Sequence, residues 1–355
     1  MPLIANIRSS ARKNPAHPAR NGRIESSRSI NALTETILFL WRGLSSFRFA
    51  LSLVQPVLTE GAGKMADKWK NVVAVTQGRE TSDGAGVRLK RIIGQPELDY
   101  LDPFLMLDAF GSDEATDYIA GFPPHPHRGI ETVTYMLAGR MRHEDDAGHS
   151  GVLEPGSVQW MTAGRGIIHS EMPEQEEGEM RGFQLWVNLP RKSKMCPPHY
   201  QNIEPDEIPE ISRGGGVTVR LIAGRLDGIE GPVRGIDADP LYMDVTVPAG
   251  AVSDHGIAPD HNAFIYVFAG QAEVGADDEQ PGKLIRDGDL AVLGEGNAVR
   301  IRAGSDGARL ILVAGRPLRE PVFKYGPFVM NSKEEIIQAI RDYQNGTFSK
   351  ASPDQ

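Results

Sequence analysis

The chain has 355 residues, enough for two or three domains. Hydrophobic residues make up 40% and charged residues 24%, and 39 glycines with 25 prolines indicate many turns without reaching the level of collagen or a wholly disordered chain. A net charge of -9 argues against nucleic acid as the main ligand, and the single cysteine, Cys196, excludes an intrachain disulfide framework or a Cys-rich zinc module.

Residues 1–64 differ from the rest of the chain. They hold seven Arg and two Lys against three Glu, a balance of +6 that leaves -15 for the remainder. The apolar stretch Ile37 to Trp41 is followed by Arg42 and Arg48, so no run of 18 uncharged apolar residues forms a spanning helix. A secretory signal would carry its apolar core nearer the start. The Arg- and Ser-rich composition is compatible with organellar targeting. The stronger expectation is a poorly ordered or non-native extension, dispensable for folding, because a coherent globular pattern starts at Met65. A cytoplasmic, non-membrane protein, monomeric and without direct nucleic-acid binding, is expected.

From Met65 onward the pattern is all-β, with short strands and regularly spaced turns. Strands are expected at 71–75, 87–93, 101–110 (interrupted by Pro103), 131–137, 151–158 and 182–188. These place an N-terminal domain over 65–190. Residues 191–216, with further prolines and three consecutive glycines, are expected to be a linker. A second series at 217–223, 241–247, 263–268, 290–293 and 309–313 places a C-terminal domain over 217–355. Tyr135-Met-Leu-Ala-Gly139 resembles Tyr266-Val-Phe-Ala-Gly270, and each precedes a Gly-centred turn into another strand, which suggests an internal duplication. Near the end, Ser332-Lys-Glu-Glu335 has the form of a capping box. Ile336, Ile337, Ile340 and Tyr343 come next at helical spacing and Gly346 closes a short docking helix.

Two segments carry chemistry. In Phe122-Pro-Pro-His-Pro-His-Arg-Gly-Ile-Glu131, His125, His127, Glu131, Val133 and Tyr135 share one parity; an unbroken extended chain would point them to one face. In Trp160-Met-Thr-Ala-Gly-Arg-Gly-Ile-Ile-His169-Ser-Glu171, Ile167, His169 and Glu171 share a parity in the same way. Two imidazoles on one strand and an imidazole with a carboxylate on another suit a divalent ion, Fe(II) and also Ni(II), Zn(II) or Cu(II). Spacing alone leaves open whether Glu131 or Glu171 is the carboxylate ligand. His143 and His149 sit in a polar turn and are expected to face solvent or support the site. In the second half, matching Gly139 to Gly270 sets Gly256 and Ala258 opposite His125 and His127, so that half is expected to lack a site although His255 and His261 are near. Cys196 is expected to be structural. No Ser-His-Asp motif, P-loop or dinucleotide fingerprint occurs.

These motifs, Phe122 to Tyr135 and Gln159 to Glu171, with Gln184-Leu-Trp-Val-Asn-Leu189 and Gly326-Pro-Phe-Val-Met-Asn331, resemble the signatures of the pirins, members of the cupin superfamily. The resemblance spans roughly residues 70–348. It implies two jelly-roll-type cupin β-barrels in tandem with a short C-terminal helix and one metal ion, expected to be Fe(II), in the N-terminal barrel. It assigns the ligands as His125, His127, His169 and Glu171, with Glu171 also catalytic, and leaves Glu131 in a supporting or barrel-lining role. It implies a quercetin 2,3-dioxygenase-like activity, opening a flavonol ring with O2. The alternative it carries is an iron-binding, redox-responsive regulator of a protein partner without turnover.

Overall fold

A computed structural model describes residues 68–276 and 281–350. The expectation for residues 1–64 lies outside the described residues. Among those described, no helix is long and apolar enough to cross a membrane.

The chain forms two β-barrels. The N-terminal one faces a seven-stranded sheet against a four-stranded sheet. The larger sheet runs, in spatial order, His199–Ile203, Val158–Thr162, Ile130–Ala138, Met180–Asn188, Phe104–Ser112, Val87–Ile93 and Arg79–Asp83. The smaller runs Phe122–His127, Ile167–Pro173, Met141–Asp145 and Ser150–Leu153. The C-terminal barrel is built on one nine-stranded sheet centred on the long strands Asn262–Val274 and Ala298–Gly315.

Strand alternation divides the apolar residues into separate cores. Val133, Tyr135, Trp160, Phe183 and Leu185 leave the large N-terminal sheet on its outer side and pack against Tyr242, Phe264, Tyr266, Phe268 and Val313 of the other barrel. Phe104 meets Phe264 edge-on at 5.3 Å. The repeated Tyr-x-x-Ala-Gly segments thus occupy matching places: Tyr135 and Tyr266 both face this seam, and Gly139 and Gly270 both turn with positive φ, 78° and 71°. A polar lock crosses the seam. The Tyr135 hydroxyl donates to Asp244 (2.7 Å), which also accepts from Arg309 (2.6 Å), while Arg220 donates to the Tyr135 oxygen and to the Gly156 carbonyl.

The barrel interiors differ. The C-terminal interior is filled by aliphatic side chains such as Val219, Met243, Ile265, Leu293, Ile301 and Leu312. His255 is buried there against the Ser253 hydroxyl (2.8 Å), and burial pushes it down to about 4. The N-terminal interior has apolar clusters, around Met136 and Phe110 and around Ile130 and Met161, and buried polar groups that include His143, His169 and Glu171.

Several expectations are corrected. Val72–Gln77 does not pair within the N-terminal barrel; it pairs with Asp289–Leu293 of the other one. Residues 191–216, read as a linker from their prolines and glycines, carry the strands His199–Ile203 and Glu210–Ser212, one on each barrel. The segment 151–158 is two strands split by a turn at Pro155-Gly156. The helix Lys333–Gln344 is capped by Ser332, which accepts from the Glu335 N–H, but Glu335 reaches back to the N–H of Asn331. Its buried side is Ile336 and Ala339, with Ile340 and Tyr343 beside them; Ile337 is exposed, since the i, i+3, i+4, i+7 stripe passes through Ala339 instead.

Candidate metal centre

The strands Phe122–His127 and Ile167–Pro173 are antiparallel neighbours, and their register sets His125 directly across from His169 and His127 across from Ile167. Pro123, Pro124 and Pro126 fit here because the first strand lies at a sheet edge, where missing N–H groups cost little. The three imidazoles converge: ring centroids are 4.8 Å apart for His125–His127, 4.5 Å for His125–His169 and 5.1 Å for His127–His169. One nitrogen of each lies within 4.8 Å of the others, the one such group of three among the described residues.

His127 and His169 are each 2% exposed, while His125 reaches toward solvent. Burial, with the other imidazoles close by, holds His127 well below the usual histidine range. Burial pushes His169 down to about 4, against the opposing pull of Glu171. At neutral pH both are therefore neutral and present lone pairs. Nδ1 of His127 and both ring nitrogens of His169 are buried without a hydrogen-bond partner. Buried nitrogens in this state are costly unless something accepts or coordinates them. A lone pair from each of these two rings, with a nitrogen of His125 within 4.8 Å of both, fits a divalent ion of the Fe, Ni, Cu or Zn type.

Glu171 follows His169 across a bulge and is 1% exposed. Its carboxylate lies outside the 4.8 Å group, accepting from the Thr134 hydroxyl (3.0 Å) and the Gln184 amide (2.9 Å). Those two side chains project inward from the large sheet and fix the carboxylate beside the imidazoles. Trp186, two residues after Gln184, lies edge-on to His127 at 5.1 Å.

The extended-chain reading of the first motif fails after His127. Gly129 has φ +79° and turns the chain, and a Cβ there would overlap the Val329 carbonyl. Beyond the turn, Glu131 shares the outer face of its strand with Val133 and Tyr135, while Thr134 points inward to Glu171. The Glu131 carboxyl accepts from Thr162 (2.9 Å), and burial pushes it up to about 7. Glu131 therefore sits on the opposite side of the sheet from Thr134 and Glu171.

The structure gives roles to Thr134, Gln184 and Trp186, which lie inside the motifs quoted above, and moves His143 out of the expected polar turn. His143 lies on the strand Met141–Asp145, opposite Glu171, 2% exposed, with its ring 5.6 Å from that of Tyr200. The alternation of Met141, His143 and Asp145 was the available signal. His149 is exposed and pairs with Asp145 (2.8 Å).

Comparison with known proteins agrees with this architecture. Residues 86–187 match the Pirin family and residues 242–349 the Pirin C-terminal cupin domain. A Pirin-like protein of Caulobacter vibrioides is 53% identical over 280 residues, covering 78% of this chain and 98% of that protein. Human Pirin is 47% identical over 279 residues, covering 78% and 93%. A crystal structure of quercetin 2,3-dioxygenase from Acinetobacter baumannii superposes with a TM-score of 0.73 at 32% identity, covering 79% of this chain and 99% of that one. Two barrels of the cupin type, the paired family matches and the extent of these identities together place the chain in the pirin family.

Proposed function

We propose that the chain holds one divalent metal ion, Fe(II) in its native state, through His125, His127, His169 and Glu171, and opens a flavonol-like ring with O2. The observation that carries the reading is the group of three imidazoles, two of them with orphaned buried nitrogens, set beside a buried, oriented carboxylate. The similarity to a quercetin 2,3-dioxygenase supports the reaction class. A metal ion there would supply an electrophilic centre that lowers the pKa of a flavonol 3-hydroxyl. The neutral imidazoles of His127 and His169 would donate lone pairs without first releasing protons. Glu171 has two oxygens, so one would ligate while a remaining lone pair of the other takes the hydroxyl proton, and Thr134 and Gln184, which donate to them, hold the carboxylate in place. Trp186 offers an aromatic edge beside His127.

The test uses protein loaded with Fe(II), Ni(II), Cu(II) or Zn(II) in turn and supplied with quercetin and O2. Ring opening with carbon monoxide release, lost in Glu171→Ala, is expected with at least one metal. Metal uptake without turnover for all four would overturn the enzymatic reading in favour of a metal-responsive regulator of a protein partner.

The orienting groups have a separate prediction. Gln184→Ala leaves Glu171 with the Thr134 hydroxyl as its remaining hydrogen-bond donor. Metal affinity is expected to fall about 10–100-fold, the usual effect of removing a group that orients a ligand. A competition titration against a chelator measures it.

A further inference from the structure

The imidazoles come from the N-terminal barrel, yet both strands that carry them lean on the end of the chain. Arg128, next to His127, is 3% exposed. Its guanidinium donates to Asp342 of the C-terminal helix (2.6 Å), to the Phe348 carbonyl (3.0 Å) and to the Arg165 carbonyl just before the His169 strand, and it lies 4.4 Å from the centre of the Phe348 ring. Its backbone N–H donates to Pro327 and its carbonyl accepts from Val329. Lys194, 2% exposed, donates to the carbonyls of Gly129 and Val329 and to Asn188, at 2.8–2.9 Å. On the other strand, Ile168 packs against the cluster of Phe328, Met330, Ile336, Ala339 and Phe348.

The His125–His127 strand needs such support. It is an edge strand paired on one side only, and its three prolines donate nothing to the ladder. We propose that residues 323–350 act as a clasp on the metal centre, with Arg128 as its positioning residue: the clasp holds the His125–His127 strand in register with His169 and so slows metal release. The proposal rests on the metal reading above.

The experiment loads the full chain with Co(II), confirms one ion per wild-type chain, and follows transfer to excess chelator. Arg128→Met and Phe348→Ala are expected to take up one ion each but to release it at least about tenfold faster, in line with the loss of supporting groups around ligands. Arg309→Met, which weakens the seam between the barrels without touching the tail, is expected to stay within about twofold of wild type. Asp342→Asn, which removes one rim charge, is the milder variant should Arg128→Met not fold, with an intermediate rate expected. Binding and clasp closure are coupled reciprocally, so Co(II) is also expected to slow hydrogen exchange over residues 328–349. Release rates in Arg128→Met or Asp342→Asn and in Phe348→Ala that equal wild type, or that Arg309→Met matches, overturn the clasp alone. Wild-type protein that takes up no Co(II) overturns the metal reading and the clasp with it.

Discussion

His169→Ala is expected to lose most of its metal, with affinity reduced by more than about 100-fold, beyond the effect of removing a supporting group. His169 faces His125 across the strand pair, and neither of its ring nitrogens has a hydrogen-bond partner, so both are open to a metal ion. Glu131→Gln is expected to keep most of its metal. Glu131 belongs to the outer face of its sheet, on the side of Val133 and Tyr135, where it accepts from Thr162, and glutamine keeps an oxygen for that bond. Metal content after dialysis, measured by elemental analysis, compares the two. Equal losses would mean that the carboxylate two residues beyond the Gly129 turn ligates instead, and that the face assigned to Glu131 is wrong.

Asp244→Ala is expected to cost about 2 kcal/mol of stability, the scale for leaving a buried hydrogen-bond donor unpaired, because Arg309 keeps access to solvent. Asp244 is 3% exposed and accepts from both the Tyr135 hydroxyl and Arg309. Its loss strands a buried phenol and a half-buried guanidinium at the seam. Asp244→Asn keeps an acceptor for Tyr135 and loses the charge, so about half that cost is expected. Urea denaturation of the metal-free protein reads both. Metal stoichiometry is expected to stay at the wild-type value, since Asp244 lies on the C-terminal barrel. A shift below about 1 kcal/mol for Asp244→Ala would show that solvent replaces the lock at little cost.

Much of the architecture was legible because strand periodicity and turn glycines are local signals. Val87–Ile93 and Leu241–Val247 have the bounds that alternation predicts, and Gly139 and Gly270 mark matching turns. The three histidines were legible for the same reason: each lies on a strand whose parity is intact up to the residue concerned. Parity ceased to inform at Gly129, where one left-handed residue reversed the faces and moved Glu131 away from the site. Pairings distant in sequence were not legible either. Nothing in residues 72–77 or 199–203 states which barrel each strand joins, because an edge strand is chosen by the sheet it meets. Gln184 and Thr134 stand inside the family motifs without a legible role, because an uncharged side chain acquires one only when the fold sets it against Glu171.

The two barrels borrow from each other in opposite directions along the chain. Val72–Gln77 completes the sheet of the second barrel through pairing with Asp289–Leu293, and Phe328–Met330 with the final helix closes over the first. During synthesis the first barrel therefore emerges with its histidine strand unsupported, and it waits for some 140 further residues before Val329 and Phe348 arrive. The early strand meanwhile has no sheet to join until residue 293 is made. Contacts spanning such separations form late and slowly. Expressing the halves apart, cut near residue 206 between the strands His199–Ile203 and Glu210–Ser212, is expected to leave each with an open edge and a tendency to aggregate, whereas co-expression gives the missing strand and tail a route back.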